Sequence, residues 1–210
     1  MIDVSNPEQI AGFFELTERK FGCPDIIHNN AGTICGEPIW PNTPLEKMTQ
    51  VVSVNLLGVL YGNSIGIEMM AANGGGVIIN TASTAALGPM PTDPVYSGTK
   101  AAIVNLTQSC AGLSQSHNIR VNALLPGMVT TPFIERTGDG KQPAAWLKPM
   151  LGQIPMLSTD QIASGVIKLV LDESIAGACL VIENPSEKGL PPLETLLPDA
   201  KSFYEYQLSR

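Results

Sequence analysis

The segment DIIHNNAG, from Asp25 to Gly32, joins a short apolar run to a turn made of two amides, an alanine and a glycine. The run is bounded by Pro24 and by the Asn/Gly cluster and shows no polar alternation, which predicts a buried strand from Asp25 to His28. The small residues after this strand leave room for a ligand close to the backbone. A glycine at position 32 would also permit a left-handed turn, and this explanation is compatible with room for a ligand.

Three more segments of this kind follow along the chain. They are VIINTAS (Val77 to Ser83), IRVNALL (Ile119 to Leu125) and ACLVIE (Ala178 to Glu183), and we predict that ACLVIE is the last strand. Short apolar strands that take turns with helices are typical of a parallel sheet covered by helices on both faces. The sequence therefore predicts an α/β, doubly wound parallel sheet in a single domain, residues 1–210.

Each predicted helix begins at a polar N-cap, and three of these caps have Glu or Gln three residues later, as in a capping box. The predicted helices run from about Asn6 to Phe21 after the cap Ser5, from Thr43 to Ala72, from Asp93 to about Ser116, and from Ser158 to about Asp172. The stretch from Met128 to Pro155 is mixed in composition and predicts a lid-like loop with a short helix.

The composition argues against several classes of function. Apolar residues make up 44% and charged residues 15% of the chain, and the net charge of −7 comes without the Lys and Arg clusters that nucleic acid binding requires. The four cysteines lie far apart, so we predict free thiols and no metal site. Polar residues interrupt the apolar stretch from Val51 to Ala72, and the first residues are too polar for a signal peptide. We therefore expect no membrane association and a cytoplasmic location.

Ligands of such sheets bind at the carboxyl ends of the strands, where this sequence places NNAG, TAS and PGMVTTP. Tyr96 and Lys100 are four residues apart and so lie on one face of a helix. Taken alone, a half-buried aromatic ring and a solvated charge explain this pair at least as well as a function does. As a functional pair it suits the oxidation of an alcohol, because a nearby cation favours the phenolate that accepts the hydroxyl proton. A free tyrosine has a pKa near 10, about three units too high, which corresponds to about 4 kcal/mol.

The set formed by NNAG, Asn55 in VNLLG, Ser83, YSGTK and RVNALLPGMVTT resembles the short-chain dehydrogenase/reductase family, from Asp3 to about Ile182. The resemblance implies a Rossmann-like fold and an enzyme that interconverts a secondary alcohol and a ketone by hydride transfer with a nicotinamide cofactor. The substrate oxygen would bond to Ser83, and Asn55 would anchor a water that passes the proton onward.

By the same resemblance, Tyr96 is the base, and Lys100 assists it and binds the nicotinamide ribose. The residues implied beside the cofactor are Asp3, Val4, Asn30, Ala31 and Gly32 at the adenosine half, and Tyr96, Lys100, Pro126, Gly127, Val129 and Thr131 at the nicotinamide half. TDPVYSGTK and IAGACLVIENPSEKG are most similar to NAD-dependent members of the family, so we expect NAD rather than NADP. The partners implied are a small-molecule alcohol or ketone and further copies of the chain, in a homodimer or homotetramer.

Two features depart from the family pattern. Asp93, three residues before the tyrosine, is either an N-cap or a carboxylate that faces the substrate. Neither G-x-x-x-G-x-G nor G-x-G-x-x-G occurs, although the family cradles the cofactor pyrophosphate with such a turn. We therefore expect an incomplete sheet that lacks the first strands and the Gly-rich turn, and an unpaired, apolar edge on the strand that ends at Asn29. The alternative function is a catalytically incomplete fragment or a non-catalytic subunit that associates through its interface helices.

Overall fold

The computed structural model describes residues 2–209, which fold around a five-stranded sheet in the order β1-β2-β3-β4-β5. The strands are β1 (Ile26–Asn29), β2 (Gly76–Thr81), β3 (Ile119–Pro126), β4 (Cys179–Glu183) and β5 (Leu193–Leu197). Strands β1 to β4 are parallel, as predicted, whereas β5 runs antiparallel beside β4. The prediction that ACLVIE is the last strand is therefore wrong. The tail pairs with the edge that β4 would otherwise leave open, although its prolines give no strand signal.

Helices cover both faces of this sheet, so the Rossmann-like α/β fold is confirmed. They are α1 (Pro7–Phe21), α2 (Leu45–Val52), α3 (Gly58–Ala72), α4 (Pro94–Ser109), α5 (Leu113–His117), α6 (Pro132–Glu135), α7 (Thr159–Leu171) and α8 (Ala200–Leu208). A π-helical turn, Ser53–Leu57, joins α2 to α3 without a break. Helices α3 and α4 pack on one face and α7 on the other, and successive residues of β3 alternate between them: Leu125 packs with α4 and Leu124 with α7.

The N-caps of α4 and α7 are confirmed. Ser158 and Gln161 exchange both hydrogen bonds of a capping box at the start of α7. At the start of α4, the Asp93 carboxylate accepts a hydrogen bond from the Tyr96 N–H at 2.9 Å. Both caps satisfy backbone donors that the first turn of a helix leaves unpaired.

The predicted caps of the first two helices are wrong. The cap of α1 is Asn6, whose side chain accepts from two backbone N–H groups, while the Ser5 hydroxyl donates to Asp3 instead. A carboxamide one residue later competes successfully because it satisfies two donors at once. The Thr43 hydroxyl donates to a carbonyl in the preceding loop, and Pro44 takes the N-cap position of α2 without a side-chain bond.

Strand β1 lies at the edge of the sheet. Within residues 2–209 it pairs with β2 alone, and 52% of the Ile26 surface is exposed. The prediction of a buried strand from Asp25 to His28 is wrong, since the strand is Ile26–Asn29 and Ile27 is its one buried residue. The expected apolar character of this edge is observed, because a cavity of about 380 Å³ beside it is lined by apolar residues of α1 and β1, among them Phe13 and Ile26.

Three glycines on one side of α3 allow this helix to lie against β1 and the chain before α1. A Cβ at Gly58 would meet Val4 at 3.0 Å, one at Gly62 would meet Asn29, and one at Gly66 would meet Ile27. Because the helix approaches so closely, its position fixes the strand that leads into NNAG.

Gly62→Ala is expected to lower the free energy of unfolding by about 1–3 kcal/mol, because the new Cβ would overlap with the Asn29 Oδ1. Asn29 is held in place, since its amide donates to the buried Asn80 Oδ1 at 2.9 Å. The matched control is Gly12→Ala within α1, where a Cβ would meet nothing within 4 Å and should stabilise the helix by about 0.5–1 kcal/mol. Urea unfolding measures both, and effects of the same sign would contradict this account.

The continuous helix Leu45–Ala72 is 28 residues long and contains an 18-residue stretch with a mean hydropathy of 1.3. Within residues 2–209 it is the one helix long and apolar enough to cross a membrane. A core helix of a soluble protein passes the same test. Here the buried side of the helix carries Asn55 and Asn63, whose amides donate to Thr33 and Asn80. Length and composition are therefore weak grounds for a membrane span.

Candidate active site

The carboxyl ends of β1, β2 and β3 lie side by side, because the three strands are parallel neighbours. Asn30 to Gly32 follow β1, Ser83 follows β2, and Gly127 follows β3. The Ser83 hydroxyl donates to the Pro126 carbonyl at 3.5 Å, so the ends of β2 and β3 are tied together. Helix α4 begins at this same edge and brings Tyr96 to it.

Lys100 is buried on α4, with 3% of its surface exposed, and its Nζ donates to the Thr81 carbonyl at 2.8 Å. Burial lowers the pKa of this amine to about 8, because the ammonium loses its hydration. An ammonium has three N–H donors, and within residues 2–209 the bond to Thr81 is the one hydrogen bond that Lys100 makes. Two donors are left for a ligand at the strand ends.

Tyr96 lies one helical turn before Lys100, whose Nζ is 5.8 Å from the centroid of the phenol ring. Burial raises the pKa of Tyr96 above its ordinary value, the hydrogen bond with Ser83 lowers it in part, and the charge of Asp93 raises it further. The protein on its own therefore favours the neutral phenol. Added positive charge near the ring would be needed to favour the phenolate.

Asp93 uses both carboxylate oxygens to hold the backbone. Its Oδ1 accepts from the Tyr96 N–H at 2.9 Å, and its Oδ2 accepts from the Cys35 N–H at 2.8 Å. Only 2% of the residue is exposed. Of the two readings that the sequence leaves open, the N-cap is confirmed. The carboxylate also fixes the loop after NNAG against the first turn of α4.

Asn55 lies in the π-helical turn and is fully buried. Its Oδ1 accepts from the Thr33 N–H at 2.8 Å, and its Nδ2 donates to the Thr33 carbonyl at 2.8 Å. A Cβ on Gly32 would lie 3.7 Å from both Asn55 Oδ1 and Lys100 Nζ, so these three residues meet around one point. The sequence predicts an unbroken α-helix here, because a π turn shifts the hydrogen-bond register without changing the composition.

The residues assigned to the adenosine half lie on the β1 side of this cluster. Val4, Asn30 and Ala31 line the cavity of about 380 Å³ beside β1. The Thr81 hydroxyl donates to Asn30 Oδ1 at 2.9 Å, which orients that amide. The Asp3 carboxylate bonds the backbone and hydroxyl of its neighbour Ser5, and these bonds lower its pKa.

The residues assigned to the nicotinamide half form the loop that leaves β3. Val129 bridges to Leu157, and the Thr131 hydroxyl donates to the Val129 carbonyl at 3.3 Å. The two remaining donors of Lys100 and the side-chain-free space at Gly32 suit a ligand with hydroxyl groups, such as a ribose. The residues present therefore fit the ribose of a nicotinamide cofactor, whereas no Gly-rich turn for its pyrophosphate occurs in the sequence.

The segment between β3 and α7 contains the short helix predicted for the lid, α6. On it, Phe133 packs against Tyr96 with ring centroids 6.3 Å apart. A cavity of about 410 Å³ beside this contact is lined by Thr33, Phe133 and Arg136, among others. The Phe133 ring thus lies between this cavity and Tyr96.

The sequence does not predict two residues of the site. One is Phe133, which packs on Tyr96. The other is Asn184, whose side chain accepts a hydrogen bond from the Met128 N–H at 2.7 Å and so holds the loop after β3. Both act through contacts between residues that are distant in sequence. The signal that points to Asn184 is its place directly after a buried parallel strand, at the edge where ligands bind.

Comparisons with known proteins show the family and the fold to which the chain is similar. The family model for short chain dehydrogenase matches residues 1–142. The 15-hydroxyprostaglandin dehydrogenase (NAD+) of Bos taurus is 34% identical over 191 residues, which cover 86% of this chain and 68% of that protein. The 2-(R)-hydroxypropyl-CoM dehydrogenase of Xanthobacter autotrophicus is 31% identical over 186 residues, covering 86% and 74%. Among solved structures, a short-chain type dehydrogenase/reductase from Mycobacterium marinum superposes with a TM-score of 0.76 at 26% identity, over 86% of this chain and 71% of that one.

Proposed function

Since this chain belongs to the short-chain dehydrogenase/reductase family of oxidoreductases, we propose that it interconverts a secondary alcohol and a ketone by hydride transfer, with NAD as cofactor and Tyr96 as the base. The observation that carries the proposal is the cluster at the strand ends. There, the phenol of Tyr96, whose pKa the nearby Ser83 hydroxyl lowers in part, stands beside a buried ammonium that keeps two N–H donors for a ligand.

In the oxidative direction, Tyr96 accepts the proton of the substrate hydroxyl while the hydride leaves the carbinol carbon. Lys100, with its pKa of about 8, is mostly protonated at neutral pH, and its charge near the ring stabilises the phenolate. The Ser83 hydroxyl donates to the substrate oxygen as its charge changes. A bound nicotinamide would supply the hydride acceptor and, in its oxidised form, a positive charge.

The proton then has to leave a buried site, and Asn55 is placed to help. Its Oδ1 keeps a second lone pair beside the bond from the Thr33 N–H, and a water there would connect Lys100 to solvent. Gly32 leaves this route open, because a larger residue would bring side-chain atoms between the amide and the ammonium.

The same proposal distributes the cofactor over the strand ends. Lys100 would hold the nicotinamide ribose, Pro126 and Gly127 would contact the nicotinamide, and Val129 and Thr131 would hold its carboxamide. At the adenosine half the contacts would be made by Asp3, Val4, Asn30, Ala31 and Gly32. The relative named for NAD(+) supports NAD over NADP. The proposal includes a homodimer or homotetramer in the cytoplasm, as is common for this family.

Support for a secondary alcohol comes from the names of two relatives, a hydroxyprostaglandin dehydrogenase and a 2-(R)-hydroxypropyl-CoM dehydrogenase. Each name describes a hydroxyl group carried on a larger molecule. The cavity of about 410 Å³ beside Phe133 lies in the size range of small-molecule sites.

A calorimetric titration with NAD and then NADP tests the proposal, after an unfolding curve has established cooperative folding. We expect saturable binding of NAD and weaker binding of NADP. A panel of secondary alcohols, followed by the absorbance of NADH, then identifies the substrate class. Saturable binding followed by turnover would support the dehydrogenase, whereas a folded chain that binds neither nucleotide would contradict it.

A non-catalytic subunit is the second candidate. The observation in its favour is the open edge of β1, which pairs with β2 alone within residues 2–209, in a sequence without a Gly-rich turn. Such a chain would associate with partners through its helices and bind no nucleotide. Light scattering beside the titration separates the two candidates, because an oligomer that ignores NAD fits only the second.

A further inference from the structure

One carboxamide side chain holds the loop that carries the nicotinamide-side residues. Asn184 follows β4 directly and is half-buried. Its Oδ1 accepts from the Met128 N–H at 2.7 Å, and its Nδ2 donates to the Met128 carbonyl at 2.7 Å and to the Pro155 carbonyl at 3.0 Å. All three bonds go to backbone groups, so the side chain fixes the course of the main chain.

The two backbone segments that Asn184 joins are the two ends of the lid, 128–155. Next to the carboxamide, the Leu157 N–H donates to the Met128 carbonyl at 2.9 Å, and the Thr130 N–H donates to the Leu157 carbonyl at 2.9 Å. The hydrogen bonds of Asn184 therefore complete a network that joins the two ends of the lid, and the rest of the lid extends from this network. The Phe133 ring that packs on Tyr96 belongs to that lid.

The approach of the carboxamide also explains the glycine in the loop. A Cβ on Gly127 would overlap with Asn184 Oδ1 and would lie 3.3 Å from its backbone nitrogen. Only a residue without a side chain allows the loop to come this close. The positions of Gly127 and Asn184 thus depend on each other.

The chemistry of the contact requires both a donor and an acceptor on a short side chain. Aspartate would keep the acceptor for the Met128 N–H but would turn a second oxygen toward two carbonyl oxygens. Leucine branches at the same carbon but has no polar atoms, so it would leave all three backbone groups without this partner. An unsatisfied buried polar group costs far more than an exposed one, so the loop would move to find water.

We propose that Asn184 is a positioning residue, which acts through the backbone of Met128 to set the nicotinamide-side loop and the hinge of the lid. This inference rests on the proposed function for its effect on cofactor binding. Its effect on the lid is independent of that function. Asn184 itself touches no reacting atom.

Hydrogen exchange of the cofactor-free protein, read by mass spectrometry on peptides that cover residues 127–157, tests the effect on the lid. Asn184→Leu is expected to speed exchange at Met128, Thr130 and Leu157 by at least tenfold, and Asn184→Asp by a similar factor. The control is Asn73→Leu, which removes a single exposed bond to the Met69 carbonyl at the far end of α3 and should leave these peptides unchanged. Unchanged exchange in Asn184→Leu would overturn the proposal.

A titration with NAD tests the effect on the cofactor. Asn184→Leu should weaken NAD binding about tenfold, which corresponds to about 1.4 kcal/mol, and should raise the KM for NAD more than it lowers kcat. Equal NAD affinity in this variant and the wild type would overturn the role at the cofactor. If the wild type binds no NAD, the proposed function fails, while the exchange data still decide whether Asn184 holds the lid.

Discussion

Tyr96→Phe is expected to lower kcat for alcohol oxidation by about 10³-fold and to leave the Kd for NAD within about twofold of the wild type. The substitution removes the oxygen that accepts the substrate proton and keeps the ring that packs on Phe133 at 6.3 Å between centroids. It also keeps the ring 5.8 Å from Lys100 Nζ, so the ammonium stays where the ribose would bind. Binding and chemistry should therefore separate. Steady-state rates and calorimetry on the same preparation measure the two effects.

The control for this substitution is Tyr204→Phe on α8, an exposed tyrosine whose loss should change neither quantity. Wild-type rates in Tyr96→Phe would show that another group accepts the proton. A loss of NAD binding equal to the loss of rate would show that Tyr96 holds the cofactor rather than the proton. Either result would remove the phenol from its proposed role.

The sequence predicts the core of this site because its parts are local. The cap Asp93, the helix that follows it and the spacing of Tyr96 and Lys100 lie within one short segment, and helix geometry alone puts the two side chains on one face. The parallel arrangement of β1 to β3 then follows from short apolar strands that alternate with helices. Once three such strands are adjacent, the residues after them share one edge.

The features that the sequence does not predict depend on distant contacts or on competition between similar signals. Asn6 and Ser5 are both good caps, and Asn6 is used because it satisfies two backbone donors while Asp3 accepts a hydrogen bond from the Ser5 hydroxyl. Asn184 acts on a residue 56 positions away, which no local pattern records. Strand β5 forms because an open sheet edge is beside it rather than because Leu193–Leu197 has a strong strand pattern.

Lys100→Met is expected to weaken NAD binding about tenfold and to lower kcat by about 10²- to 10³-fold, because both remaining ammonium donors and the charge beside the phenol are lost. The free energy of unfolding at neutral pH should instead increase in this variant. Burial lowers the pKa of this lysine from 10.5 to about 8, so folding with a charged Lys100 costs on the order of 3 kcal/mol below pH 8. Methionine carries no such cost, although it gives up the bond to the Thr81 carbonyl.

The sign of the pH dependence separates a functional lysine from a structural one. The unfolded chain holds its lysine proton up to a pKa near 10.5, whereas the folded protein releases it near pH 8. Wild-type stability should therefore rise relative to Lys100→Met as the pH increases from 8 to 10, since the cost of the buried charge disappears over that range. Urea unfolding at pH 7 and pH 9.5 measures this change. The control is Lys168→Met, at an exposed lysine paired with Glu194, which should show no such trend.

If Lys100→Met is several kcal/mol less stable than the wild type at pH 7, and the difference is the same at pH 9.5, Lys100 is a structural residue. If Lys100→Met instead folds well but neither binds NAD nor turns over, the buried charge of Lys100 serves cofactor binding and catalysis rather than stability.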